Sequence, residues 1–174
     1  MKKVALIISI AIAVSISVIS PNASMGNSSG EDQLKAAFIY NFAKLTKWPE
    51  DPYSNQHISI CFFSDQPLNG QLTLLEGKKV KNTLIKTGKY NESKKCHITF
   101  VDKNSEETFI QNKDDLKKKN VLTVGDFSGF VSNGGGIELF RSQDKVNFYI
   151  NIQSIKASGL SLNARLLKLG KIHD

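Results

Sequence analysis

Three carboxylates stand directly after three apolar runs: Asp65 after residues 61–64, Asp102 after residues 98–101, and Asp126 after residues 121–125. If those runs are neighbouring parallel strands, their ends share one sheet edge. Three carboxylates there could hold a hard divalent cation such as Mg²⁺ or Ca²⁺. Each Asp also precedes a predicted helix or turn, where a carboxylate accepts backbone N–H bonds and complements the helix dipole. The capping reading needs no ion, and no metal or other cofactor is expected. Asn133, Gly134, Gly135 and Gly136 could likewise cradle a phosphate. A phosphate cradle, however, lies between a strand and a following helix, and these glycines precede a strand, which suits a turn or bulge with positive φ. His57 and His97 begin predicted strands and His173 lies in the terminal tail, so no His/Cys grouping has zinc spacing. With no G-x-S-x-G or other nucleophile motif either, the chain reads as a non-enzyme.

The elements that position these residues begin with an address. Met1, Lys2 and Lys3 form a cationic start, Val4 to Ile19 is uncharged and apolar, and Ser20 to Ser24 is small and polar around Pro21. This layout predicts a secretory signal peptide over residues 1–24. The apolar run of about 16 residues falls short of the roughly 20 that span a bilayer. Residues 25–30, rich in Gly, Ser and Asn, are expected to be a disordered leader, and residues 31–174 a single domain.

Export gives Cys61 and Cys96, the only two cysteines, a meaning. In an oxidising compartment they are the sole intramolecular pair, and a disulfide closing a loop of about 35 residues would contribute on the order of 3 to 4 kcal/mol. Cys61 lies late in one predicted strand and Cys96 at the start of another. Adjacent parallel strands in register would hold them beyond bridging distance, so the bridge requires a shifted register. Two separate thiols are the alternative.

The formal net charge of +7 falls to +5 without Lys2 and Lys3. Nearly all the cations are lysines, Arg141 and Arg165 being the only arginines, and no stripe of stacking aromatics accompanies them. Nucleic acid is therefore not an expected partner.

Residues 32–47 carry Leu34, Ala37, Phe38, Phe42 and Leu45 at helical spacing, with a second stripe of Ala36, Ile39, Tyr40 and Ala43. Such a two-sided helix is covered on both faces or exposes one stripe to a partner or a second protomer. Strands are expected over residues 57–63, 81–87, 96–101 and 121–124, with helices over 67–75 and 105–118 between them. Strands separated by helices imply an α/β three-layer sandwich with a mostly parallel central sheet flanked by helices. Residues 136–141 and 146–150 alternate around a turn at 142–145, which predicts a C-terminal antiparallel hairpin with one open strand edge. Asn151 is placed to cap a helix that Gly159 stops, and Ser161 or Asn163 to start the last one.

Two segments carry a resemblance. Lys35-Ala-Ala-Phe-Ile-Tyr-Asn-Phe-Ala-Lys-Leu-Thr-Lys-Trp-Pro49 resembles the opening helix of YfiR-like proteins, close to K-A-A-F-I-Y-N-F-A-K-F-T-x-W-P. Val121-Leu-Thr-Val, Phe130, Gly134 to Ile137, Val146-Asn-Phe-Tyr-Ile-Asn151, Gly159-Leu160 and Leu166-Leu167-x-Leu169 follow in the family's order. Cys61 and Cys96 also sit where many members carry cysteines. The resemblance implies a periplasmic repressor that binds the sensory part of an inner-membrane diguanylate cyclase and lowers cyclic-di-GMP and biofilm formation. An outer-membrane OmpA-like lipoprotein would draw it away. Leu45 stands where Phe is frequent, and the second cysteine pair of some members is missing here, so redox control through that pair does not carry over. The partner surface is expected on the hairpin and following helices, with Phe130, Phe140, Arg141, Tyr149, Asn151 and Lys156 as contact residues. A homodimer is possible through the first helix. The competing function is a periplasmic small-ligand sensing module with its crevice near Asp65, Asp102 and Asp126.

Overall fold

The computed structural model describes residues 26–49 and 57–173. The expected signal peptide, 1–24, lies outside the described residues. Helix α1 (Gly26–Leu45) starts within the stretch expected to be a disordered leader. That expectation is corrected for residues 26–30. Gly, Ser and Asn are weak helix formers, but extending a helix already held by packing costs under about 1 kcal/mol per residue, and no proline interrupts it.

The remaining elements are β1 (Thr46–Lys47), β2 (His57–Phe62), β3 (Lys79–Val80), β4 (Thr83–Lys89), β5 (Ile98–Val101), α2 (Glu106–Lys118) and β6 (Leu122–Gly125). They continue with β7 (Ile137–Ser142), β8 (Lys145–Asn151), α3 (Ile152–Ala157), β9 (Ser161–Leu162), α4 (Ala164–Leu169) and β10 (Lys171–His173). One sheet has the order β10-β8-β7-β6-β5-β2-β4-β3, and β1 pairs separately with β9. β4, β2, β5, β6 and β7 run parallel, whereas the β7–β8 hairpin and the short β3–β4 pair are antiparallel. The expected mostly parallel α/β sheet is therefore present.

Strand alternation divides the core into two layers. Ile58, Ile60, Ile98, Phe100, Leu122, Val124, Ile137, Leu139, Phe148 and Ile150 join Ala36, Ile39, Phe42 and Ala43 of α1 on one face. Phe38, Phe42 and Phe148 form an aromatic cluster there, with ring centroids 5.2–6.1 Å apart. On the other face Cys61, Val101, Val121, Phe127 and Phe130 pack with Phe109 and Leu116 of α2. α1 thus buries its Ala36–Ile39–Ala43 stripe, while Leu34 and Ala37 remain exposed.

Three local devices shape this frame. Gln143 and Asp144, with φ of 50° and 58°, form the two-residue turn joining β7 to β8, a backbone that follows the right-handed strand twist. The side chains of Asn151 and Asn163 cap α3 and α4 by accepting from the N–H groups of Ser154 and Arg165, as their positions predict. Residues 67–75 do not make the expected helix. Leu68 and Asn69 have positive φ, which breaks it, and only a 3-10 turn at Thr73–Leu75 forms.

Cys61 and Cys96 are bridged, with Cα atoms 5.9 Å apart. The β2–β5 ladder starts at Ile60 opposite Ile98, which leaves Cys96 outside the strand. Freed from the ladder, its backbone is not held at the offset that in-register pairing would impose.

The hairpin does not lie at the sheet edge. β10 pairs in parallel with β8 through Tyr149, Ile150 and Asn151, so the open edge belongs to Lys171–His173. That strand is too short to read from alternation, and His173 was expected in a tail. Both edge strands, β10 and β3, are two or three residues long, which limits edge-to-edge pairing.

Candidate docking surface

Helix α2 contacts β6, and the loop from Asp126 to Gly136 folds back over the same sheet face with Phe127 and Phe130. Beyond that loop, β7, β8 and β10 present this face without a covering helix among the described residues. The register places Glu138 opposite Tyr149 and Phe140 opposite Asn147, so Phe140 and Tyr149 are diagonal neighbours. Their rings stack at 4.4 Å with 17° between planes. Lys171, opposite Tyr149 on β10, holds its Nζ 5.2 Å from the Phe140 ring centre and 5.9 Å from that of Tyr149. His173 stands edge-on to Tyr149 at 6.5 Å, and its Nε2 is 3.4 Å from Ser132 Oγ. The result is a half-exposed aromatic pair topped by a cation, mounted on strands rather than loops. The C-terminal segment also exposes Leu167, Leu169 (66%) and Ile172 (46%), and Ile172, opposite Ile150, lies on the α1 side of the sheet.

Of the six residues expected at a partner surface, only Phe140 and Tyr149 come together. Phe130 is corrected: it is 0% exposed and packs between Phe109 (4.7 Å) and Phe127 (5.4 Å). Gly125 and Gly135 make room for its ring, since a Cβ on either would lie 2.4 Å and 2.2 Å from it. Asn151 is likewise a structural residue, capping α3 and donating its Nδ2–H to Val131 O at 3.0 Å. Arg141 projects to the opposite face and pairs with Glu31 of α1 (3.3 Å) and Asp144 (2.7 Å). Lys156 is exposed on α3. Lys171 and His173, which join the pair, lie on a strand of three residues that alternation in the sequence does not reveal.

The three strand-end acids are engaged separately. Asp65 pairs with Lys89 on the surface. Asp102 accepts from the N–H of Ser105 at 3.0 Å and from its hydroxyl at 2.8 Å, the capping role expected of it. Asp126 pairs with the buried Lys35 at 3.3 Å, and Lys35 also reaches Glu31 at 2.9 Å. Among the described residues no three His, Cys, Asp or Glu side chains gather as a metal site would require. Burial pulls the Lys35 ammonium down, but Glu31 and Asp126 together hold it above the usual lysine range. Burial pushes the Asp126 carboxyl up, and Lys35, shared between two acids, offsets only part of that. The signal for this cluster was a lysine inside a helix otherwise apolar nearly all round.

At the other end of α1, the Trp48 Nε1–H donates to His97 O at 3.3 Å and the two rings meet edge-on at 5.9 Å. His97 Nδ1 accepts from the Ser59 N–H at 2.9 Å, which leaves the proton on Nε2. Nε2 is buried with no partner among the described residues. Burial, aided by the positive charge of Lys95 and by His57, lowers the His97 pKa to about 4. The unfolded chain takes this proton near pH 6.5 and the folded chain only near 4, so stability is full above pH 6.5 and declines as pH falls toward 4. The loss expected from His97 is roughly 3 kcal/mol. Urea unfolding at pH 7 and pH 4 checks it. His97→Asn, which keeps a side-chain acceptor, should shrink the difference between the two pH values, and an undiminished difference would contradict the assignment.

Among the described residues no helix is long and apolar enough to cross a membrane. The fold is similar to a conserved domain protein from Vibrio cholerae O1 biovar El Tor, with a TM-score of 0.55 and 9% identity over 82% of this chain and 60% of that one. It is also similar to the ABC domain in complex with L-Trp from Streptococcus pneumonia, with a TM-score of 0.52 and 12% identity over 82% and 60%. This chain thus spans about 60% of the length of these solved structures, and the likeness is one of fold alone. No curated protein matches it. A YfiR/HmsC-like family model matches residues 32–171, a span that takes in the α1 motif, the Cys61–Cys96 bridge and the Phe140–Tyr149–Lys171 surface. The chain belongs to the YfiR/HmsC-like family.

Proposed function

We propose that the chain is exported and acts in the periplasm as an inhibitory regulator. It binds the periplasmic sensory part of an inner-membrane diguanylate cyclase, lowers cyclic-di-GMP and restrains biofilm formation. An OmpA-like outer-membrane lipoprotein relieves the inhibition by competing for it. Membership of a family of periplasmic regulators in cyclic-di-GMP signalling supports this reading. So does the disulfide, which suits an oxidising compartment.

The observation that carries the docking role is the stacked Phe140–Tyr149 pair under Lys171, left open by α2. Aromatic anchors fixed on strands lose little conformational freedom on binding, and such residues dominate interface energetics. A regulator of this kind acts by binding one conformation of its partner more tightly than another, so it needs neither a cofactor nor a reaction centre. Self-association belongs to the same reading through the exposed Leu34 side of α1, and light scattering on the purified chain tests it.

Deleting the gene should raise cellular cyclic-di-GMP and biofilm mass, and the Phe140→Ala/Tyr149→Ala variant should fail to restore the low level. An unchanged cyclic-di-GMP level in a deletion strain that carries the partner cyclase gene would contradict the proposal.

A further inference from the structure

Between α2 and α3 lies a cavity of about 360 Å³, at the lower end of the size range in which proteins hold small molecules. Lys113, Asp114 and Lys117 line it from α2, Thr123 from β6, Gln153 and Ser154 from α3, and Ser158 from the residue that follows α3. It is separate from the strand ends that carry Asp102 and Asp126, and from the Phe140–Tyr149 surface.

Its polar groups are unevenly satisfied. Lys113 and Lys117 sit about one helical turn apart. Neither makes an ion pair among the described residues, whereas nearby Lys119 is tied to Asp115 at 2.6 Å. Thr123 is 8% exposed, and its Oγ1 accepts from the Gly136 N–H at 2.9 Å. Its own O–H has no acceptor among the described residues. The Ser154 hydroxyl donates to Gly134 O (2.7 Å) and that of Ser158 to Ser154 O (3.0 Å), so both turn oxygen lone pairs, not protons, toward any occupant. The cavity therefore combines two cations without an ion pair among the described residues, one buried donor, two hydroxyl acceptors, the side-chain amide of Gln153 and the carboxylate of Asp114.

This inventory selects a class of ligand. Two ammonium groups against one carboxylate leave a net charge of +1, which matches a monoanion. The serine oxygens and Asp114 accept from hydroxyl groups, and Thr123 donates to an oxygen. We propose that the cavity binds a small hydroxylated organic monoanion of the sugar-acid type. Its carboxylate lies between Lys113 and Lys117, one oxygen meets the Thr123 O–H, and its remaining hydroxyls face Asp114, Ser154 and Ser158. This proposal rests on the cavity and is independent of the docking surface.

Titrating the purified mature chain with gluconate and following backbone amide shifts by NMR tests it, with glucose as the neutral counterpart. Gluconate should produce saturable shifts centred on Lys117, Thr123 and Ser154, and glucose should produce none. The Lys113→Ala/Lys117→Ala variant changes two exposed side chains and should keep the wild-type melting temperature while weakening gluconate binding at least tenfold. Three outcomes would overturn the proposal: no saturable response to gluconate, an equal response to glucose, or undiminished binding by the lysine variant.

Discussion

Replacing Phe130 by Ala is expected to destabilise the protein by about 3 to 5 kcal/mol, measured as a lower urea midpoint at pH 7 with an unchanged slope. The ring is fully buried between Phe109, Phe127, Gly125 and Gly135. Removing it leaves a void walled by two aromatic rings and backbone, which cannot collapse freely. A residue at a docking surface would behave differently, changing stability within about 0.5 kcal/mol while weakening partner binding. The same packing predicts the reverse experiment. Gly135→Ala would force a methyl to 2.2 Å from the Phe130 ring, and overfilling a packed site of this kind costs about 1 to 3 kcal/mol. A midpoint unmoved in both variants would show that this layer does not hold the loop from Asp126 to Gly136 against α2.

The second large effect is that of the bridge. Cys61 and Cys96 close a loop with a sequence separation of 35, for which chain entropy gives roughly 4 kcal/mol. Both cysteines are buried in the layer under α2, so the bridge ties β2 to the segment that leads into β5 inside that smaller core. The double variant Cys61→Ala/Cys96→Ala should lose most of this stabilisation, and reductant should destabilise the wild type without affecting the variant. A loss below about 1 kcal/mol would mean that the unfolded chain is already compact around this loop.

Much of this frame is legible in the sequence. Alternation in residues 136–141 and 146–150 marks the hairpin, Asn151 announces the helix it caps, and of the two candidates Ser161 and Asn163 the second caps the last helix. Asp102 could be read as a cap because a carboxylate three residues ahead of a helical run has backbone N–H groups within reach. What escaped has physical reasons. Phe130 lies in a loop with no period of its own, so nothing in its neighbours marked an inward direction, and its partners Gly125 and Gly135 come from both ends of that loop. β10 and the β1–β9 bridge are two or three residues long, below the length at which a period can be seen. In residues 67–75, positive φ at Leu68 and Asn69 overrides a helical apolar pattern, a tertiary choice that propensity does not contain. The disulfide was read from the count of cysteines, but its geometry depended on Cys96 leaving the ladder.

For the candidate surface the balance differs. Phe140 and Tyr149 were identified individually, yet their stacking depends on the diagonal register across the β7–β8 turn, and their cation comes from a strand that the sequence hides. Asn151 and Phe130 fall into the same expected set because polar and aromatic residues near a hairpin look alike in sequence whether they cap, pack or dock.

The most direct test of the account is the affinity of the purified mature chain for the periplasmic sensory domain of its partner cyclase, measured by calorimetry for the wild type and for Phe140→Ala/Tyr149→Ala. The account predicts saturable binding by the wild type, a loss of at least about 2 kcal/mol in the variant, which is roughly 30-fold in Kd, and little change in melting temperature. Equal affinity in the two proteins, or no binding by the wild type, would contradict it.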